Sequence, residues 1–437
     1  MNEKYKKIGL LSVISLSFIP FLIFVKHPDS FTFSFDNLNT IWVYIAGVSG
    51  YIGTALILWQ YILGTRSVSG LIFKDLPWIL KLHRVFGKYG ILLFLLHPIA
   101  LIFYFSESVF YTIIPDLTNQ YETITTYGRI AFIAIVFIWL SSVILRSKIT
   151  YRPWKYIHYL SYIALPLVFL HVPKIGLSFD EPVIRVMWWS FTIIFLIFTV
   201  LRLRFVFGFG KTNYKVLSNK RVSSDVYIIE LQSGSKSQVI NTGQYIYIKS
   251  SFFGESHPFT IYDYDNDKGT IKVAYKIIGK FTKGLKNIIR GDFVTIDGPY
   301  GVFTKQIDIS PDYKSLVFIA SGVGIAPFYK YIVDSKYPNN IMLFYANKTK
   351  ETAVFRSILK DKLGDNYIDI VSRDKSQACI CDERGRICEK ILKKYIMTTN
   401  NHHYFICGNQ GVIDTAKNSL IAIGVSPNLI HSEEFGF

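Results

Sequence analysis

The sequence predicts a multi-domain chain: a six-helix transmembrane bundle, then an antiparallel β-barrel, then an α/β domain built on a parallel sheet. Three observations predict it. Half of the 437 residues are hydrophobic, yet nearly all the long apolar runs lie within 1–210. Residues 211–308 read as short strands closely spaced by Gly and Asn/Asp turns. Residues 309–437 alternate apolar strands with amphipathic helices. The first boundary falls at Phe207-Gly208-Phe209-Gly210-Lys211, where the apolar runs stop.

Six stretches carry the membrane reading, at about 8–25, 40–63, 79–105, 127–145, 156–172 and 183–206. Most reach the ~20 residues that cross a bilayer core as a helix, and the fifth is near the lower limit. The first opens on Lys4, Lys6 and Lys7 but lacks a small-residue cleavage site, so it reads as an uncleaved helix. Basic residues mark the cytosolic loops: Arg66, Lys74 and Lys81, then Arg146, Lys148, Arg152 and Lys155, then Arg202, Arg204 and Lys211. The intervening loops are richer in acids, among them Asp29, Glu107, Asp116, Glu122, Asp180 and Glu181. Both termini and the water-soluble half are therefore expected on the cytoplasmic side of a cell membrane, with the lipid bilayer as a partner.

Much of the net charge of +17 sits beside the hydrophobic spans and is explained by that orientation, and nucleic acid is not expected as a partner. The four cysteines (Cys379, Cys381, Cys388, Cys407) all lie in the soluble half, which fits a reducing compartment. The first three match no zinc spacing and read as ordinary thiols.

Four of the nine histidines fall inside hydrophobic spans: His83 and His97 on the third, His158 and His171 on the fifth. A polar side chain at membrane depth is costly and is a functional candidate. Fourteen residues separate the first two and thirteen the second two, which is about 21 Å and about 20 Å along a helix. Both helices run outward, so the imidazoles match in depth, His83 with His158 inside and His97 with His171 outside. Facing imidazoles suit the two axial positions of a haem iron. Zinc is a poor competitor because no Cys or carboxylate stands near. Hydrogen bonding between helices is the alternative. At ~100° per residue, fourteen steps return to one face while thirteen fall about 140° away, and a kink at Pro166 is expected to make up the difference. Arg84 and Lys88 beside His83, and Arg129 on the outer side, are candidates for haem propionates, with interfacial anchoring as the equal alternative.

Six helices with two His on the third and two on the fifth, spaced 14 and 13, resemble the ferric reductase and NADPH oxidase superfamily. With the soluble half, the resemblance covers essentially the whole chain. Strands are expected at 214–217, 226–231, 244–249, 270–276 and 292–296. Among them, His257-Pro258-Phe259-Thr260 resembles the FAD-holding loop of ferredoxin-reductase-type flavin reductases, with the Thr260 hydroxyl placed for flavin N5. Many members have Arg where His257 stands, and the oxidase branch has His. Lys276, Gly279 and Thr282 then read as a pyrophosphate cradle of free N–H groups, a hydroxyl and an ammonium, on a pattern common in isolation. Asp297-Gly298-Pro299-Tyr300-Gly301 reads as the turn closing the barrel, or as a plain turn.

In the last third, a strand at 316–320 runs into Ser321-Gly322-Val323-Gly324-Ile325-Ala326-Pro327. A Gly-rich turn between strand and helix lets backbone approach a dinucleotide pyrophosphate, and Gly322 and Gly324 resemble the family's Gly-x-Gly-x-x-Pro loop. A strand at 367–371 ends Ser372-Arg373-Asp374-Lys375, a hydroxyl and guanidinium suited to a 2′-phosphate. In the family, Ser372-Arg373 resembles an NADPH preference; NADH stays possible, since exposed Arg is often a solvated charge. Cys407-Gly408 stands where the family lines the nicotinamide, with Asn409 in place of the usual Pro. Phe437 resembles the terminal ring that stacks on flavin, the alternative being a loose tail.

The resemblance implies an oxidoreductase that carries electrons from cytosolic NADPH through FAD and two b-type haems to an acceptor outside. Thr260, Cys407 and Phe437 would stand at the hydride transfer. Oxygen giving superoxide is the first reading for the acceptor and ferric iron the second. Related oxidases carry an Arg in the second helix and a His one turn beyond the outer His of the third; here 40–63 holds no Arg and the later position is Leu101. A haem-free, membrane-anchored flavin reductase and a non-enzymatic haem protein are the readings from other classes.

Overall fold

The computed structural model describes residues 3–25, 38–234, 239–250, 254–308, 315–373, 382–399 and 402–434. The chain forms two compact units, Met1–Phe209 and Gly210–Phe437.

Among the described residues, the first unit holds six helical spans long and apolar enough to cross a membrane. The first span is α1 (Glu3–Leu16) with α2 (Ile19–Phe24), and the second is α3 (Leu38–Gly64), followed by the short α4 (Arg66–Ile72). The third joins α5 (Leu76–Tyr89) to α6 (Ile91–Phe105). The fourth is α7 (Gln120–Trp139), closed by a π turn at Leu140–Ile144. The fifth is α8 (Tyr151–His158) with α9 (Ser161–Ile175), and the sixth α10 (Pro182–Val206). The fourth starts seven residues before its apolar run because Asn119 caps it, its side chain accepting from Glu122 N at 2.9 Å. Small residues (Ala55, Ala131, Ala134, Ala164) let neighbouring backbones close in around Phe21, Trp188 and Phe191. Leu92, Phe103 and Val186 stay exposed, as lipid-facing side chains do.

The fifth span departs from expectation. Pro166 sits inside α9, and the break comes earlier, at Tyr159-Leu160. There the N–H groups of Leu160, Tyr162 and Ile163 each bond three residues back, at 3.0 Å. Such 3₁₀-type turns advance ~120° per residue instead of ~100°, so the three recover roughly 60° of the missing turn. Overwinding of this kind turns His171 towards the face of His158, with Pro166 lying inside the helix beyond it.

In the second unit, β1 (Thr212–Arg221), β2 (Val226–Ser233), β3 (Tyr245–Lys249), β4 (Ser256–Asp265), β5 (Thr270–Lys276) and β6 (Phe293–Tyr300) form a closed antiparallel barrel in the order β1-β2-β5-β4-β3-β6. Alternating side chains (Val216, Ile229, Ile246, Ile271, Val294) fill it, joined by Leu285 from α11 (Lys280–Leu285). Gly243 takes φ +73°, and a Cβ there would stand 2.4 Å from Thr304 Cγ2, so the turn before β3 admits only glycine. Two expectations change. His257–Thr260 belongs to a sixth strand, β4, rather than a loop, because its mixed side chains hide the alternation. Asp297 to Tyr300 continues strand β6 rather than turning.

After α12 (Lys305–Asp308) comes a parallel sheet of β7 (Ser315–Ser321), β8 (Ile341–Asn347), β9 (Tyr367–Val371), β10 (Glu383–Arg384), β11 (His402–Gly408) and β12 (Ile430–Glu434). Its order is β10-β9-β8-β7-β11-β12. Helices α13 (Ala326–Asp334), α14 (Arg356–Leu363), α15 (Glu389–Tyr395) and α16 (Gln410–Ala422) help bury the hydrophobic clusters packed on the sheet. Barrel and sheet meet where Tyr262 packs on Tyr329 and Phe355, and where Asp263 accepts from Lys272 (3.0 Å) and Lys330 (3.1 Å). Burial opposes ionisation of Asp263, but the two ammonium groups prevail and hold its carboxyl below the usual range.

At the sheet edge, His431 on β12 stacks on His403 of β11 (centroids 5.6 Å apart) and on Phe405. Burial, then the neighbouring His403, pushes the His431 imidazole down to about 4 from 6.5. The unfolded chain therefore takes up a proton near pH 6.5 that the folded one refuses until about pH 4, and stability falls across that window as pH falls. Thermal unfolding of the full chain at pH 7 and pH 5 should show a smaller acid loss for His431→Phe than for the parent; equal losses would refute the assignment.

Candidate functional site

The structure brings the His83 and His158 rings together, with centroids 6.2 Å apart and planes inclined at 59°. Two metal–imidazole bonds of ~2 Å plus the ring half-widths require about 6.4 Å, so one iron fits between the rings. His97 and His171 lie within electrostatic range of each other. Among the described residues, no three His, Cys, Asp or Glu side chains converge as a metal cluster.

What holds the rings decides what they can bind. His83 Nδ1 donates to Gln60 O (3.0 Å), His97 Nδ1 to Ala46 O (2.7 Å) and His171 Nδ1 to Ile124 O (2.9 Å). A carbonyl oxygen only accepts, so each Nδ1 carries the proton and each neutral ring keeps a bare Nε2 for a ligand bond. His158 differs: its Nδ1 lies 3.4 Å from Ser142 Oγ.

These carbonyls share a feature that sequence reading missed. Four residues after Ala46, Gln60 and Ile124 stand Gly50, Gly64 and Gly128. A Cβ on Gly50 would lie 2.8 Å from His97 Nδ1, on Gly64 3.2 Å from His83 Cε1, and on Gly128 2.6 Å from His171 Cε1. Helical side chains tilt back towards the N-terminus and cover the turn before them. Glycine there uncovers the carbonyl and seats the ring. The signal was present in the sequence, since Gly50 and Gly64 are fourteen apart on α3, as are His83 and His97 on the antiparallel third span.

Of the basic candidates, Arg129 is buried and already engaged, with Glu122 at 2.8 Å and the Tyr111 carbonyl at 2.7 Å. Arg84 and Lys88 are exposed, the latter's ammonium lying 5.1 Å from the Tyr89 ring.

In the barrel, the structure joins the two segments expected around FAD. The Phe281 ring at the start of α11 packs on His257 (4.2 Å) and Phe259 (5.9 Å) of β4. Pro258 faces Tyr247 and Thr260 faces Tyr245 across the β3–β4 ladder, Thr260 being buried. Thr282 Oγ1 accepts from Ile278 N (3.0 Å) and Gly279 N (3.1 Å), ordering the turn that precedes the helix. Lys276 pairs with Asp225 at 2.8 Å.

The strand order of the parallel sheet reverses between β7 and β11, and open α/β sheets bind ligands in the crevice at such a switch. Both expected motifs meet there. Gly322 takes φ +56°, and a Cβ on Gly324 would lie 2.5 Å from the Cys407 carbonyl oxygen, so the glycine loop closes directly on the end of β11. The Cys407 thiol is fully buried in the core beneath, and burial, with Glu433 beside it, pushes it well above the ordinary thiol range. Cys407 therefore meets the crevice through its backbone. Asn409 caps α16, its side chain accepting from Val412 N at 3.1 Å, which is the structural use of the residue standing where Pro was expected. Ser372 bonds to Asn347 O through Oγ (3.2 Å) and N (3.0 Å), with Arg373 exposed beside it. Phe437, Asp374, Lys375, Cys379 and Cys381 lie outside the described residues.

Comparison with known proteins agrees with this architecture. Residues 49–169 match the family "Ferric reductase like transmembrane component", 213–305 the "Oxidoreductase FAD-binding domain" and 318–418 the "Oxidoreductase NAD-binding domain". By class the chain combines, in order, a ferric-reductase-like transmembrane component with the FAD-binding and NAD-binding domains of oxidoreductases. More narrowly, that combination of domains is similar to the ferric reductase/NADPH oxidase-like superfamily. It is 31% identical over 162 residues to an "Uncharacterized protein in adh 3'region" of Clostridium beijerinckii, covering 36% of this chain and 54% of that one. It is 27% identical over 205 residues to the "Sulfhydrogenase 2 subunit gamma" of Pyrococcus furiosus, covering 43% and 69%. The chain thus spans about half the length of the Clostridium relative. Among solved structures, a ferredoxin NADP+ reductase from Neisseria gonorrhoeae with bound FAD and NADP is similar at 17% identity and TM-score 0.46, over 52% of this chain and 98% of that one.

Gly324→Ala should lower kcat/KM for NADPH-driven ferricyanide reduction about tenfold, a loss of ~1.4 kcal/mol, because the added methyl forces the glycine loop off β11. Unchanged kinetics would show that the loop does not bear on nucleotide binding.

Proposed function

We propose that this chain moves electrons from NADPH on the cytosolic side of a cell membrane to an acceptor outside, with FAD and two b-type haems as resident cofactors. The observation that carries the reading is the state of the rings: three intramembrane histidines have Nδ1 tied to a backbone carbonyl and Nε2 left bare for a ligand bond. Helix-to-helix hydrogen bonding alone would not need the 6.2 Å gap between His83 and His158. When bound, FAD supplies the conversion of a hydride pair into single electrons, and the haems supply one-electron carriers at two depths.

The residues divide the work. His83 and His158 would hold the inner haem, His97 and His171 the outer, with Arg84, Lys88 and Arg129 as the candidates to meet their propionates. Thr260 would orient the flavin through a hydroxyl fixed on a ladder strand, and Gly279 and Thr282 would present ordered backbone to its pyrophosphate. Gly322, Gly324 and Gly408 would let NADPH lie close to the sheet, Ser372 and Arg373 would select its 2′-phosphate over NADH, and Phe437 would cover the flavin.

Oxygen reduced to superoxide is the acceptor we favour, since His257 stands where the resembling oxidases also carry His. Ferric chelate is the second reading, supported by the absence of Arg from residues 40–63 and by Leu101 where an oxidase has His.

Purified full-length protein should contain two haems, with Soret and alpha bands that NADPH reduces. His83→Ala, His97→Ala, His158→Ala and His171→Ala should each lose or spectrally alter one of them. NADPH-driven ferricyanide reduction by the flavin should survive in all four. Parent-like spectra in all four variants would overturn the reading. Superoxide-dismutase-sensitive reduction of external cytochrome c would then select oxygen, and insensitive reduction of a ferric chelate the alternative.

A further inference from the structure

The fourth histidine breaks the pattern of the other three, and the sequence register shows where. Gly50 and Gly64 are fourteen apart on the second span; fourteen beyond Gly128 on the fourth span stands Ser142. A serine occupies the fourth seat. The helix changes there as well: Leu140–Ile144 is a π turn in which Leu145 N bonds five residues back to Leu140 O at 2.9 Å. Such turns gather at functional sites. The carbonyl a fourth glycine would uncover, that of Ile138, accepts the Ser141 hydroxyl at 2.9 Å. His158 Nδ1 is met instead by Ser142 Oγ, at 3.4 Å, and that oxygen already accepts Trp154 Nε1–H at 3.0 Å. The Trp154 ring itself stands 5.0 Å from His158, fixing both groups.

We propose that Ser142 is a positioning residue that sets the inner haem's reduction potential above the outer's, by giving His158 a hydroxyl partner where the other three axial rings have a carbonyl. The inference rests on the two-haem reading. A hydroxyl oxygen loaded by an indole N–H and 3.4 Å away draws less on the Nδ1 proton than a peptide carbonyl at 2.7–3.0 Å. A weaker Nδ1–H bond leaves the imidazole less basic and a poorer donor to iron, and a poorer donor favours the reduced metal. His97 and His171 both have carbonyl partners, so the outer centre has no such weak ligand. The inner centre fills first, and the asymmetry resides in one side chain on the fourth span.

The test is potentiometry of the purified full-length protein, following the alpha band and resolving two midpoints. Ser142→Ala removes the remaining acceptor without adding bulk and should raise the inner midpoint while the outer stays in place. Ser142→Thr keeps the hydroxyl and should return the inner midpoint to the parent value. Ser142→Gly restores the fourth seat, opens the Ile138 carbonyl to Nδ1 and should lower the inner midpoint towards the outer. Two bound haems with midpoints unmoved in the Ala and Gly variants would overturn the role of Ser142 and leave the two-haem reading standing. Midpoints that move together would overturn it too, as a general perturbation of the bundle. A parent protein that binds no haem at all would instead sink the reading on which the inference rests.

Discussion

Hydrocarbon offers an imidazole no hydrogen-bond partner, so both nitrogens of an intramembrane histidine must be met by the protein or by what the protein carries. Here the bundle meets one nitrogen and leaves the other. The means is modest: a helical carbonyl already bonded within its own helix lends its second lone pair, and a glycine four residues on removes the side chain that would hide it. Everything proposed for the membrane half follows from that division, because a ring held through Nδ1 is fixed in orientation and bare at Nε2. The packing follows as well. Glycine seats and alanine contacts draw the second and fourth spans close to the histidine-bearing third and fifth.

The same use of missing side chains recurs in the soluble unit, with different chemistry. At the switch between β7 and β11, Gly324 lies against the carbonyl of Cys407 and Gly408 against the Ser321 side chain, so two strand ends and a helix start converge with no side chain from either glycine. A dinucleotide needs that bareness, since its pyrophosphate is recognised by backbone N–H groups. Around the barrel, Phe281 performs the converse task. Its ring on His257 and Phe259 ties the turn at Gly279 to strand β4, so two segments distant in sequence form one surface.

Much of this was legible from residue order alone. Apolar runs and their flanking charges mark the six spans because lipid imposes length and loop bias directly. The four histidines stand out because polar groups at that depth are rare. What escaped was of three kinds. Strand β4 was hidden because His257, Pro258 and Thr260 interrupt the alternation that marks a strand, although the ladder with β3 accepts them. The thirteen-residue gap on the fifth span did not close by straight-helix periodicity, because the chain takes a local 3₁₀ turn at Tyr159-Leu160 that no breaker residue marks. Pro166, the visible breaker, lies inside continuous helix. Glycines 50, 64 and 128 went unread for another reason: a glycine in a membrane helix is common, and only the histidine register gives it meaning.

Matching intervals on facing helices make the second span a ruler laid alongside the third. A single residue inserted between Gly50 and Gly64 would leave the hydropathy profile intact and the helix long enough to span. It would nevertheless swing one notch ~100° around the cylinder and ~1.5 Å along it, so that only one of the two imidazoles could still dock. Length in this stretch is thus constrained to the residue, more tightly than the bilayer requires.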